Sequence, residues 1–134
     1  MIPKSLFKYL ERVNLICSIL FLLSTLYCVG NQTITTIAFG SCLKETRPQP
    51  IWKSVINLKP DIFVLLGDNI YGDTHDMTKL REKWNKFNSI QGFQELRANC
   101  RLLAVWDDHD YGENDAGLEY PRKAESQQIF LDFL

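Results

Sequence analysis

The acidic side chains of this 134-residue chain are not scattered. Asp61, Asp68, Asp73 and Asp76 fall in one stretch free of Lys and Arg, and Asp107, Asp108, Asp110, Glu113, Asp115 and Glu119 fall in another. Each stretch includes the segment after a short apolar run: Gly67-Asp68-Asn69-Ile70-Tyr71 follows IFVLL, and Asp107-Asp108-His109-Asp110 follows LLAVW. A third segment, Gly40-Ser41-Cys42, follows TITTIAF. If the three runs are parallel strands, these segments emerge at one sheet edge, where open α/β folds place their ligands. Carboxylates gathered there repel one another unless a cation neutralises them, so the convergence predicts metal. The oxygens of Asp68, Asn69 and Asp108 suit calcium, magnesium or manganese, whereas the Cys42 thiolate and Tyr71 phenolate suit ferric iron or zinc. Tyr71 reads equally well as a core aromatic with a satisfied hydroxyl. His109, between Asp108 and Asp110, is a candidate proton donor or stabiliser of transition-state charge. His75 reads as a loop residue.

Other chemistries leave no trace. The calcium-loop pattern D-x-[DN]-x-[DN]-G fails from Asp107, where the third position is His109, and from Asp108, where the fifth is Gly112. There is neither a Gly-rich phosphate cradle nor a G-x-S-x-G elbow. Hydrolysis by metal-activated water therefore fits better than serine chemistry or nucleotide binding.

The elements that must position these residues follow from periodicity. Thr33–Phe39 alternates and is rich in β-branched residues, predicting a strand. Ile51, Val55, Ile56 and Leu58 recur at helical spacing before Lys59-Pro60 ends the helix. Ile62–Leu66 has the continuous apolar run of a strand covered on both faces. Met77–Phe87 is an amphipathic helix with Leu80, Trp84 and Phe87 on one side and a cap at Thr74 or Asp76. A short helix over 92–99, a third strand over Leu102–Trp106, a loop over 107–117 and a final helix over Arg122–Phe133 complete the pattern. The order predicts an α/β layered domain with a parallel sheet.

The first 30 residues are of a different kind. Leu15–Val29 is an apolar run preceded by Lys4, Lys8 and Arg12 and followed by Gly30, the layout of a secretory signal peptide. A membrane span needs about 20 apolar residues, so an uncleaved anchor over residues 13–29 is the alternative. Removal of this segment leaves 12 basic and 15 acidic side chains in residues 31–134, and the whole chain carries −1, so no sequence-wide basic field exists to hold nucleic acid. The expected location is outside the cell, with a membrane partner only if the segment stays. Export permits disulfides, and Cys42 and Cys100 could pair, a reading directly opposed to Cys42 as a metal ligand.

The segments IAFGSCLK, QPIWKSVINLKPDIFVLLGDNIYGDT, GFQEL, LLAVWDDHDYGENDAG and SQQIFLDF, in this order and spacing, closely resemble the alkaline phosphatase D (PhoD-like) family of metallophosphoesterases. The resemblance runs from about Thr36 to Leu134. It implies a layered α/β/β/α sandwich and hydrolysis of phosphate mono- or diesters at a centre of iron and calcium. By resemblance, Cys42 and Tyr71 are iron ligands and Asp68 bridges the metals. Asp108 contacts metal or phosphate, Asn69 contacts substrate, and His109 binds substrate and protonates the departing group. The family's remaining ligands include histidines of a second half. Residues 31–134 are accordingly expected to be the N-terminal half of the domain, after a signal peptide at 1–30. A non-catalytic secreted metal- or phosphate-binding fragment is the alternative function.

Overall fold

The computed structural model describes residues 33–134, so the expected signal peptide lies outside the described residues. Three strands, β1 (Ile37–Gly40), β2 (Ile62–Leu66) and β3 (Arg101–Val105), form one parallel sheet in the order β1-β2-β3. Helix α1 (Ile51–Asn57) connects β1 to β2, and α2 (Met77–Asn88) and α3 (Gln91–Asn99) connect β2 to β3. A short α4 (Asp108–Tyr111) and a longer α5 (Lys123–Phe133) follow β3. This is the mixed α/β arrangement expected; among the described residues it is built on a single sheet rather than the two sheets of a full sandwich. No helix of the described residues is long and apolar enough to cross a membrane.

The register explains how the sheet divides its side chains. Ala38, Phe63 and Leu102 are cross-strand neighbours, as are Gly40, Leu65 and Ala104. Side chains alternate between faces along each strand, so this set shares one face, and there Phe63 and Leu65 are buried in the core. The opposite face carries Ile37, Phe39, Leu66, Leu103 and Val105, all exposed among the described residues, with Phe39 at 69%. β2 thus has the continuous apolar sequence of a central strand, but only one of its faces is packed against helices.

The helices cover the first face with aromatic side chains. Leu80, Trp84 and Phe87 of α2 are buried as their spacing predicts, and so are Ile129, Phe130 and Phe133 of α5. Trp84 meets Phe133 with ring centroids 4.5 Å apart, and Phe87 stacks on Phe93 of α3 at 4.3 Å. Each such ring removes roughly 150–250 Å² from water, which makes this cluster the main source of cohesion in a small domain. In α1 the expected face is rotated: Ile51 and Leu58 are exposed, whereas Trp52 is buried against Phe63 and Phe93. The indole presents the largest apolar area in that helix, and α3 makes room for it at Gly92, where a Cβ would lie 2.6 Å from the Trp52 Cβ.

Two boundaries also differ from expectation. The first strand begins at Ile37 rather than Thr33, because the N–H groups of Thr35 and Thr36 donate to the Asp61 carboxylate at 2.8 and 2.9 Å instead of to a ladder. The expected loop after β3 opens with the helical turn α4. There Asp107 and Asp110 form a reciprocal capping box, satisfying N–H groups that a bare loop would leave to water.

Asp76 is the cap of α2, accepting from Thr78 N and Lys79 N. The Lys79 N–H, against the opposing effect of burial and with help from the Thr78 N–H, holds this carboxyl below its ordinary value of 3.8. A depressed carboxylate contributes stability that is complete above 3.8 and disappears as pH falls through the lower folded value. Asp76→Ala is therefore expected to lower the melting temperature at neutral pH and to leave it nearly unchanged in acid strong enough to protonate Asp76 in both states, as followed by circular dichroism.

Candidate metal centre

Parallel strands deliver their C-terminal ends to one edge, and the backbone pairing continues past them. Cys42 N donates to Gly67 O at 3.3 Å and Leu43 N to Asp68 O at 2.8 Å, so the segment after β1 is laced to the segment after β2. On the other side Gly72 N donates to His109 O at 3.0 Å, joining the segment after β2 to α4. Gly67 lets the β2 and β3 ends come this close: its φ is +98°, and a Cβ there would lie 2.7 Å from the Asp107 Cβ.

The result is a cluster of the residues singled out in the sequence. One donor atom each of Asp68, Asp108 and His109 lie within 4.8 Å of one another, and all three residues are half-buried. The Cys42 thiol donates to Asp68 Oδ2 at 3.5 Å, and the Tyr71 ring lies 4.3 Å from the His109 ring, centroid to centroid. Burial, followed by the negative charge of Asp68 and the proximity of Cys42, raises the Tyr71 phenol above its ordinary value. A cation among these groups would favour their ionised forms. Asp68 Oδ1 is buried without a hydrogen-bond partner. An orphaned oxygen on a carboxylate grouped with a thiol, a phenol, a second carboxylate and an imidazole fits a metal ion.

His109 is oriented by a residue the sequence reading left in the acidic background. Its Nδ1 lies 2.7 Å from Asp73 Oδ1. A carboxylate can only accept, so Nδ1 carries the proton of this bond and Nε2 is the ring nitrogen that Asp73 leaves free. Burial pulls the imidazole down, but the Asp73 hydrogen bond and the charges of Asp73, Asp108 and Asp68 carry its pKa above the ordinary 6.5. Asp108 is held low first by the Asp115 N–H, with a smaller contribution from His109.

Other expected residues are placed differently. Asn69 is fully buried; its amide nitrogen donates to Val105 O and Asp110 Oδ2, and its Oδ1 is buried without a partner, leaving that oxygen alone to offer a ligand. Asp61 lies before β2 and is tied to Thr35 and Thr36, so it belongs to the opposite end of the sheet. Cys42 and Cys100 are free thiols, the first beyond the C-terminal end of β1 and the second before β3, so they sit at opposite ends of a parallel sheet and do not pair. His75 pairs with Glu113 at 2.9 Å on the surface.

Glu45, which no motif or period marks out, is 4% exposed, accepts from Tyr71 N at 3.3 Å and stands 3.9 Å from Lys83 Nζ, bracing the Tyr71 backbone. Asp110 is fully buried, and burial raises it to about 7 against the pull of the Ile70, Asn69 and Asp107 donors. Beside Asp108 an open hollow of ≈ 320 Å³ is lined by Trp106, Asp107, Asp108, Tyr111, Ala116 and Gly117.

No family model and no curated protein matches this chain. A solved structure described as "Structure of PhoD" does, with a TM-score of 0.64 and 21% sequence identity. The fold is that of a part of PhoD. The match covers 78% of this chain but only 26% of that one, so the chain spans about a quarter of the PhoD structure's length.

Gly67→Ala tests how the centre is assembled. A Cβ at this φ, pressed on Asp107, is expected to cost more than about 1 kcal/mol of stability in urea denaturation. In NMR spectra it should shift Asp68 and Asp107 amides far more than those of α2.

Proposed function

We propose that this chain is the N-terminal part of a secreted, metal-dependent phosphatase of the PhoD-like kind, hydrolysing small phosphate mono- or diesters. The observation that carries the proposal is the gathering of Asp68, Asp108 and His109 within 4.8 Å, beside Cys42 and Tyr71, on a fold shared with PhoD. Asp68, Asp108, Cys42 and Tyr71 would hold the metal, with Asn69 Oδ1 as a further oxygen. Iron suits the thiolate and phenolate, and calcium suits the carboxylate and amide oxygens. When bound, such ions neutralise phosphate charge and lower the pKa of a coordinated water.

The chain's own residues supply the rest. Asp73 anchors the His109 ring through Nδ1, leaving Nε2 to act on the ester. The neighbouring Asp73, Asp108 and Asp68 raise the His109 pKa, which favours the protonated ring that stabilises charge on the phosphate oxygens or protonates the departing alkoxide. The hollow beside Asp108 offers the Trp106 and Tyr111 rings to the ester's organic group. The two-sheet sandwich, with its further ligands in a second half, is part of this proposal. So are the signal peptide over 1–30, the extracellular location, and a membrane association confined to a retained residue 13–29 segment.

The test is metal analysis of the purified chain together with turnover of p-nitrophenyl phosphate and its bis-ester. Asp68→Ala and His109→Ala are expected to reduce turnover about 10²-fold or more, as for loss of a metal ligand or general acid, while His75→Ala stays near wild type. Metal uptake with no turnover would favour the alternative, a non-catalytic secreted metal- or phosphate-binding fragment. Equal losses at all three positions would refute the assigned roles.

A further inference from the structure

Asp110 stands behind the cluster, not in it. Its side chain is fully buried and accepts three hydrogen bonds: Ile70 N donates to Oδ1 at 2.8 Å, and Asn69 Nδ2 and Asp107 N donate to Oδ2 at 2.9 and 3.1 Å. Each donor adjoins a candidate ligand in the chain. Asn69 follows Asp68, Ile70 precedes Tyr71, Asp107 precedes Asp108, and Asp110 itself follows His109. The same Asn69 amide also donates to Val105 O at 2.9 Å, at the last residue of β3. One carboxylate thus holds the segment after β2 against the segment after β3, at the positions flanking Asp68, Tyr71, Asp108 and His109.

We propose that Asp110 is the positioning residue of the metal centre, setting the distance between the Asp68 and Asp108 segments without touching metal or substrate. The proposal rests on the metal-binding reading above. A carboxylate is needed because three N–H donors converge on its two oxygens, and only a group with acceptors alone satisfies them all. Asn at this position keeps the shape but turns an NH₂ toward at least one of those donors. The other links between the two segments, Gly72 N to His109 O and Thr74 N to Gly112 O, involve neither oxygen and remain. The change therefore loosens the spacing of the donors while the sheet and the aromatic core stay intact. Groups that orient ligands from behind in this way typically govern metal affinity by about 10–100-fold.

The experiment compares the wild-type chain with Asp110→Asn by amide hydrogen exchange in the metal-free state and by Co²⁺ titration, read in the visible spectrum at a temperature where both are folded. Expected are faster exchange at Ile70 and Asp107 with β2 amides unchanged, a Co²⁺ affinity about 10–100-fold weaker, and a change in band shape reporting altered coordination. Unchanged exchange at Ile70 and Asp107, or opened segments with unchanged Co²⁺ affinity and spectrum, overturns the proposal. Asn69→Ala removes one of the three donors to Asp110 together with the bond to Val105 O and a candidate ligand oxygen, so it is read by exchange alone if Asp110→Asn does not fold: faster exchange at Ile70 and Asp107 is expected, and unchanged exchange overturns the proposal. Asp68→Ala separates the two hypotheses. If it takes up Co²⁺ like wild type, the metal reading fails, and exchange in Asp110→Asn still decides whether Asp110 fixes the spacing.

Discussion

Like charges at close range are the constraint around which this structure is organised. Two carboxylates with oxygens within 4.8 Å of one another repel by on the order of 3 kcal/mol or more at an effective dielectric of ~20, a sizeable share of a small domain's net stability. Local donors, the Asp115 N–H on Asp108 among them, offset only part of that repulsion. The rest is offset by the parallel register, which holds the ends of β1, β2 and β3 together through ladders running the length of the strands, and by hydrogen bonds that continue past them. Protonation of His109 beside Asp73, Asp108 and Asp68 removes part of the excess negative charge, and a metal ion would remove more.

The energy for holding such an edge comes from the helical side of the sheet. Trp52, Trp84, Phe87, Phe93 and Phe133 bury large areas in the core, and they fix α1, α2, α3 and α5 to the face carrying Phe63 and Leu65. Cohesion and chemistry occupy different ends of the same elements. α2 shows the division most clearly. Its apolar stripe lies in the core, its cap Asp76 begins three residues after Asp73, and its Lys83 reaches back to the Tyr71 carbonyl.

Much of this was legible in the sequence, and the part that was not shares a physical origin. Ile62–Leu66 and the Leu80, Trp84 and Phe87 stripe were readable because strand and helix periods are local properties. Cys42, Asp68, Tyr71, Asp108 and His109 were readable as a group because strand ends in a parallel sheet converge whatever their sequence separation. Hidden were pairings between segments without period: Asp73 with His109, 36 residues apart, and Asp110 with Ile70, 40 apart. Each is one acid among many until the segments are laid side by side. α4 was missed because Asp107 and Asp110 counted as members of an acidic cluster, whereas their carboxylates cap backbone N–H groups. The buried face of α1 was misread because Trp52, a single large side chain, outweighed the more regular Ile51 and Leu58.

Three residues of the cluster, Cys42, Asp68 and Asp73, have left-handed backbones, with φ of 58°, 49° and 44°. Glycine would adopt those angles without penalty, whereas a residue with a Cβ gives up about 1 kcal/mol or more at each. The sulfur and carboxylates are thus carried at positions the backbone alone would assign to glycine. A chain optimised purely for folding would drift toward three glycines here and become chemically silent, while one that keeps its donors accepts a lower melting point. Stability and ligand-holding capacity are therefore opposed at the same three Cα atoms.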